Sequence, residues 1–152
     1  MITIMKKIPQ KKAVISALLL IMLLDTGLTS AASLNGSLGV SSAATDFYRV
    51  TCGSNTNGVT NNLRVSVIDL APVASPMISV QAIKGTLAKN TTDTVDGNTT
   101  YSSAIVIPGG NGTYDMRINK TAVGAELYRL NYTCLNSAGK ATVTTLTAVQ
   151  NQ

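Results

Sequence analysis

Four segments of this chain alternate apolar and polar side chains with a period of two. Tyr48, Val50 and Cys52 alternate with Arg49 and Thr51, and Leu63, Val65 and Val67 with Arg64 and Ser66. Tyr114, Met116 and Ile118 alternate with Asp115, Arg117 and Asn119. Tyr128, Leu130, Tyr132 and Cys134 alternate with Arg129, Asn131 and Thr133. A period of two puts each apolar set on one face of a strand, whereas a helix would need 3.6. Met77–Lys84, Ser102–Ile107 and Ala141–Val149 are further strand candidates, rich in residues that suit a pleated surface. Between the segments lie Gly53-Ser54-Asn55, Asp96-Gly97-Asn98, Pro108-Gly109-Gly110-Asn111-Gly112 and Ser137-Ala138-Gly139, all turn chemistry. No helical pattern of three turns follows residue 32. Short strands with one apolar face each must bury those faces against one another. The expected fold is therefore all-β: a single antiparallel β-sandwich of about seven to eight strands.

The N-terminus reads differently. Lys6, Lys7, Lys11 and Lys12 precede the apolar run Ala13–Leu24, and Ser30-Ala31-Ala32 follows with small residues. That order is a secretory signal peptide, expected over residues 1–32, and the run is too short to span a bilayer. No cysteine stands at the cleavage point and no twin arginine precedes it, so a general export route is expected. The segment 33–45 (SLNGSLGVSSAAT) is small and polar and reads as a flexible lead-in, with a short edge strand possible where Leu38 and Val40 alternate. The sandwich is expected over residues 46–152. Its last residues, Thr142–Gln152, alternate little and read as a strand or a free arm.

Removing the leader changes the charge. The whole chain carries a formal +5, but beyond residue 32 eight basic residues face six acidic ones, a net +2. The basic residues are singly spaced, so neither nucleic acid nor membrane insertion after cleavage is expected. Secretion or a periplasmic location, in a bacterium, is the expected destination. There an isolated cysteine pair, Cys52 and Cys134, is most simply a disulfide. Both sulfurs fall on the apolar phase of their strands, so the bond is expected under or beside the core.

Composition excludes several chemistries. With no histidine and two cysteines, the chain cannot build a His-based triad, a His-ligated metal centre or a Cys-rich zinc site. A hydrolase would need a pair of carboxylates from Asp46, Asp69, Asp93, Asp96, Asp115 and Glu126, and the chain is expected to be non-enzymatic. Asp93, Asp96 and Asn98 offer hard oxygens on a Gly-containing loop, which suits calcium, or equally a tight turn. No other cofactor is expected. With no tryptophan, an aromatic sugar platform has only Tyr101, beside a polar loop, as a candidate. Asn35, Asn90, Asn98, Asn111, Asn119 and Asn131 each begin an Asn-x-Ser/Thr triplet, which marks glycans in a eukaryotic secreted protein and only a polar surface in a bacterial one.

Several strand motifs carry a resemblance. Asp46-Phe47-Tyr48-Arg49-Val50, Leu63-Arg64-Val65-Ser66-Val67, Gly85-Thr86-Leu87-Ala88, Gly112-Thr113-Tyr114-Asp115-Met116-Arg117-Ile118 and Tyr128-Arg129-Leu130 resemble successive elements of bacterial pre-peptidase C-terminal domains. The resemblance runs from about Asp46 to Cys134. It implies a small extracellular β-sandwich with a non-catalytic accessory or binding role, as such domains are usually appended to secreted hydrolases. Tyr132-Thr133-Cys134 also has the Tyr-x-Cys form of an immunoglobulin tyrosine corner, so jelly-roll and immunoglobulin-like arrangements both stay open. Two functional expectations follow. One is a secreted binding or accessory module for an extracellular protein or polysaccharide. The other is a structural subunit of a fibre or surface layer that self-associates by adding Ser33–Thr45 or Ala141–Gln152 to a neighbour's sheet edge.

Overall fold

The computed structural model describes residues 31–74 and 76–152. The signal peptide expected over residues 1–32 lies outside the described residues, apart from Ala31 and Ala32. Among the described residues nine strands form two antiparallel sheets. In chain order they are β1 (Ala32–Leu38), β2 (Asp46–Gly53), β3 (Asn62–Leu70), β4 (Ile78–Lys84), β5 (Leu87–Thr92), β6 (Ile105–Pro108), β7 (Gly112–Lys120), β8 (Glu126–Leu135) and β9 (Val143–Gln150). One sheet has the order β1-β8-β3-β6 and the other β5-β4-β7-β2-β9. Among the described residues there is no helix, so none is long and apolar enough to cross a membrane. The expected all-β sandwich is the observed architecture.

The alternating segments form the core strands. Tyr48, Val50 and Cys52 of β2, Val80 and Ala82 of β4, and Tyr114, Met116 and Ile118 of β7 face inward from the five-stranded sheet. Leu63, Val65 and Val67 of β3, Ile107 of β6, and Tyr128, Leu130, Tyr132 and Cys134 of β8 meet them from the four-stranded sheet. All are buried. Each fully buried large aliphatic side chain contributes about 1.5–3 kcal/mol, which outweighs the preference of any one residue for another conformation. Cys52 and Cys134 form a disulfide with their Cα atoms 5.6 Å apart. Because β2 and β8 belong to different sheets, this bond ties one layer to the other across the core.

Two strands lie where alternation is weak. The segment 33–45, read from sequence as a flexible lead-in, supplies nearly all of β1, which pairs with β8 from Ala32 opposite Tyr132 to Leu38 opposite Glu126. Leu34 and Leu38 point inward with Gly36 between them. A Cβ at position 36 would be driven into the Tyr128 ring, so glycine is what lets this strand close on its neighbour. The segment looks featureless because its inward residues are Leu-Gly-Leu rather than three large side chains. The second such strand is β5, largely exposed, held to β4 by a hairpin whose two loop residues are Gly85 and Thr86. Gly85 has φ +58°, a conformation glycine adopts without strain. The C-terminal segment, read as a strand or free arm, forms β9 on the outer edge of β2.

Candidate functional site

The strand registers place the two ends of the sandwich in sharp chemical contrast. At one end lie the start of β2, the end of β3, the start of β4, the ends of β5 and β7 and the start of β8. This end holds Asp46, Asp69, Asp93, Asp96, Lys120 and Glu126, so it carries five of the six acidic residues beyond residue 32. The sixth, Asp115, lies on the outer face of β7, where Arg49 Nε donates to its Oδ1 at 3.1 Å.

The acids of this end divide into satisfied and unsatisfied. Asp46 is fully buried and accepts from the Gln152 backbone N–H at 2.7 Å, from the Tyr128 hydroxyl, and from the Tyr48 hydroxyl at 3.4 Å. Asp93 is buried and accepts from the backbone N–H groups of Asp69 at 2.8 Å and Val95 at 3.2 Å. Asp69, Asp96 and Glu126 differ. One carboxylate oxygen of each lies within 4.8 Å of the others. Asp69 Oδ2 accepts from the Ile78 N–H at 2.9 Å and Asp96 Oδ2 from the Ala74 N–H. Asp69 Oδ1, Asp96 Oδ1 and both Glu126 oxygens are buried without a hydrogen-bond partner. Among the described residues, these three are the acids grouped so that they could hold a metal ion.

The electrostatics follow from that packing. Burial pushes the Asp69 carboxyl up to about 7, reinforced by repulsion from Asp96, Glu126 and Asp93 and opposed by the Ile78 N–H. Burial likewise raises Glu126, with repulsion from Asp96 adding to it and attraction from Lys120 opposing it. Lys120 is itself buried, and its ammonium donates to the carbonyls of Gly39 and Gly124 rather than to a carboxylate.

A second region lies on the outer face of the four-stranded sheet. In the β3–β8 register Arg64 stands opposite Thr133 and Ser66 opposite Asn131. These four polar side chains form a two-by-two patch in which Ser66 is largely buried, because opposite residues sit about 5 Å apart and alternate residues share a face. With Leu135, Gly139 and Ala141 they line a depression of about 230 Å³. Arg49–Asp115 is the one ion pair among the described residues, so the Arg64 guanidinium faces this depression without a carboxylate partner.

Of the loop residues read as a calcium candidate, Asp96 alone joins the unsatisfied cluster. Asp93 is held by the two N–H groups above, and Asn98 accepts from the Thr100 N–H at 2.6 Å, which is turn chemistry. Tyr101 is half-buried on a polar cleft with Thr91 and Asn98 rather than on an open platform. Sequence reasoning missed Asp69, Glu126 and Lys120 as inward residues, although the signal was present. Asp69 continues the inward phase of Leu63, Val65 and Val67, Glu126 begins that of Tyr128 and Leu130, and Lys120 ends that of Tyr114, Met116 and Ile118. A charge on the buried phase of a strand is the informative exception.

Comparison with known proteins adds no relative: no family model, no curated protein and no solved structure matches this chain.

Proposed function

We propose that this chain is an exported, non-catalytic β-sandwich module that binds an extracellular polysaccharide through the outer face of its four-stranded sheet. The observation that carries this reading is Arg64: an arginine with no acidic partner, set among Ser66, Asn131 and Thr133 in a concave polar patch. A guanidinium grips a carboxylate bidentately, and flanking hydroxyl and amide groups match sugar hydroxyls. A polymer bearing carboxylates therefore fits this patch better than a neutral one. Export is supported by the basic and apolar leader and by a disulfide, which persists in oxidising compartments. The accessory role implied by the resemblance to pre-peptidase C-terminal domains belongs to the same reading. A non-catalytic role is supported by the acids. Asp46 and Asp93 are spent on internal hydrogen bonds, Asp115 pairs with Arg49, and the other three are turned inward.

The polymerising-subunit alternative asks for a strand to donate. The two segments that could serve, 33–45 and 141–152, are paired within the chain through β1 and β9, which favours the module.

Calorimetric titration of the purified protein with polygalacturonate, a polyanionic probe, and dextran, a neutral one, tests the proposal. Binding to polygalacturonate that weakens at least tenfold in Arg64→Ala and falls with added salt is the expected result. Absence of binding to either polymer, or equal binding by Arg64→Ala, overturns it. A concentration-dependent oligomer in size exclusion would turn the choice to the subunit.

A further inference from the structure

We propose that Asp69, Asp96 and Glu126 form a divalent-cation site of calcium type, separate from the Arg64 patch and not dependent on it. The three carboxylates come from the end of β3, the loop between β5 and β6, and the start of β8, positions far apart in sequence. Clustering acids by itself says little. The second observation is what their oxygens lack. Glu126 is 1 % exposed, yet neither of its oxygens has a hydrogen-bond partner, and Asp69, fully buried, leaves Oδ1 unpartnered. With Asp96 Oδ1, four carboxylate oxygens are withdrawn from water with nothing to accept. Buried polar atoms are otherwise hydrogen-bonded, and a buried carboxylate without compensation is among the most costly groups a fold can carry.

Neighbouring groups do not supply the compensation. Lys120 acts on Glu126 through space but spends its ammonium on the Gly39 and Gly124 carbonyls. The Ile78 and Ala74 N–H groups each satisfy one oxygen and leave its twin free. Three carboxyl groups are thus set against one lysine whose ammonium is turned to carbonyls.

The chemistry of the missing partner follows. Carboxylate oxygens are hard donors, which select calcium or magnesium over softer metals. Calcium–oxygen bonds of about 2.4 Å let two donors stand as much as ~4.8 Å apart, whereas magnesium, at about 2.05 Å, draws its donors closer and holds them in a strict octahedron. Donors that all lie within 4.8 Å of one another but are anchored on three separate elements suit the ion that tolerates irregular geometry. Of the three acids, Glu126 also borders a cavity of about 330 Å³, with Leu38, Gly39 and Pro72. Bound there, the ion fastens the loop around Asp96 to the end of β3 and to the start of β8.

The purified protein is stripped with EDTA and its thermal unfolding followed as calcium chloride or magnesium chloride is added, with calcium binding measured directly by calorimetry. A ligand that binds the native state raises the unfolding midpoint, and saturating calcium is expected to raise it by about 5–10 °C, with magnesium doing less. Glu126→Gln and Asp96→Asn are expected to lose both the shift and the heat of binding. Glu126→Gln should also be no less stable than the parent in EDTA, because it removes a repelling charge at constant shape. That second readout separates a lost ligand from a lost fold. Asp115→Asn, on the outer face of β7, should keep the full calcium response. No midpoint shift and no heat in the parent protein would show that the three acids share protons instead, and would overturn the site. An undiminished shift in Glu126→Gln would overturn the ligand assignment, and an equal magnesium response the calcium one.

Discussion

The two ends of this sandwich are closed by opposite kinds of chemistry. At one end a disulfide crosses between the layers, and mostly neutral groups finish the job, joined by Lys84, whose ammonium donates to the Asn111 and Thr113 carbonyls at 3.2 and 3.0 Å. The hydroxyls of Thr60 and Thr142 meet at 2.6 Å, Thr60 donates to the Gly53 carbonyl at 3.0 Å, and Asn111 reaches the Thr60 N–H at 3.0 Å and Ser54 at 2.8 Å. At the other end charged side chains occupy positions that face the core. The first end holds whatever the solvent contains, short of a reductant. The second depends on protons and ions, because its groups change state with the medium. A small domain can thus keep one end fixed and leave the other responsive.

The largest test of this contrast is the covalent one. Replacing Cys52 and Cys134 by alanine should cost about 4.5 kcal/mol in the chain-entropy model for a loop of this size, lowering the thermal midpoint by about 15 °C. Thermal unfolding of the double variant against the oxidised parent measures it. A loss under about 1 kcal/mol would mean that the layers need no tie.

Next in size is the tyrosine network beside Asp46. The Tyr128 hydroxyl donates to Asp46 and lies 2.8 Å from that of Tyr48, so Tyr128→Phe leaves a buried carboxylate short of a donor and should cost about 1.5–3 kcal/mol. The same hydroxyl sets an alkaline limit. Burial, then the hydrogen bonds to Asp46 and Tyr48, raise Tyr128 far above 10, and burial also raises Tyr48, Tyr114 and Tyr132. An unfolded tyrosine ionises near 10, so the stability these phenols contribute is complete below that pH and is lost as pH rises above it. Denaturant midpoints recorded from pH 8 to 11 should fall only above about 10, and less steeply in Tyr128→Phe.

Smaller still is the neutral end. Thr142→Val removes one buried hydroxyl but leaves Thr60 its bond to Gly53, so urea unfolding should show a loss of about 1 kcal/mol, independent of pH between 5 and 9. The smallest effect belongs to neither end. Arg49→Ala breaks an ion pair whose side chains are 49 % and 33 % exposed, and should change stability by no more than about 0.5 kcal/mol, less in high salt. A larger loss would show that the outer face of the five-stranded sheet matters more than its exposure suggests.

Legibility in the sequence followed the size of the inward side chains. Where they are large, as in β2, β3, β7 and β8, alternation revealed both the strand and its buried face, and with them the layer-crossing cysteines. Where they are small or polar the pattern faded. Leu34-x-Gly36-x-Leu38 hides an edge strand, because its middle inward position must be empty to admit the Tyr128 ring. Leu146 is the one apolar inward residue to mark β9. The Arg64 patch followed from register, since Thr133 and Asn131 stand opposite Arg64 and Ser66 only once β8 is paired with β3. The carboxylate cluster was invisible as a cluster, because its members lie 27 and 30 residues apart in the chain. Its members were nonetheless visible one at a time, as acids in phase with valines and tyrosines.

The bond between the layers also decides how this molecule answers a pull. Cysteines 82 positions apart are joined, so tension applied at residue 31 and at residue 152 passes through β1 and β2, crosses the sulfurs and leaves through β9. The strands from β3 through nearly all of β8 lie off that path. On the order of 280 Å of chain is withheld from stretching while the bond is intact. Stress can peel the edges, but it cannot unravel the middle while the sulfurs stay joined.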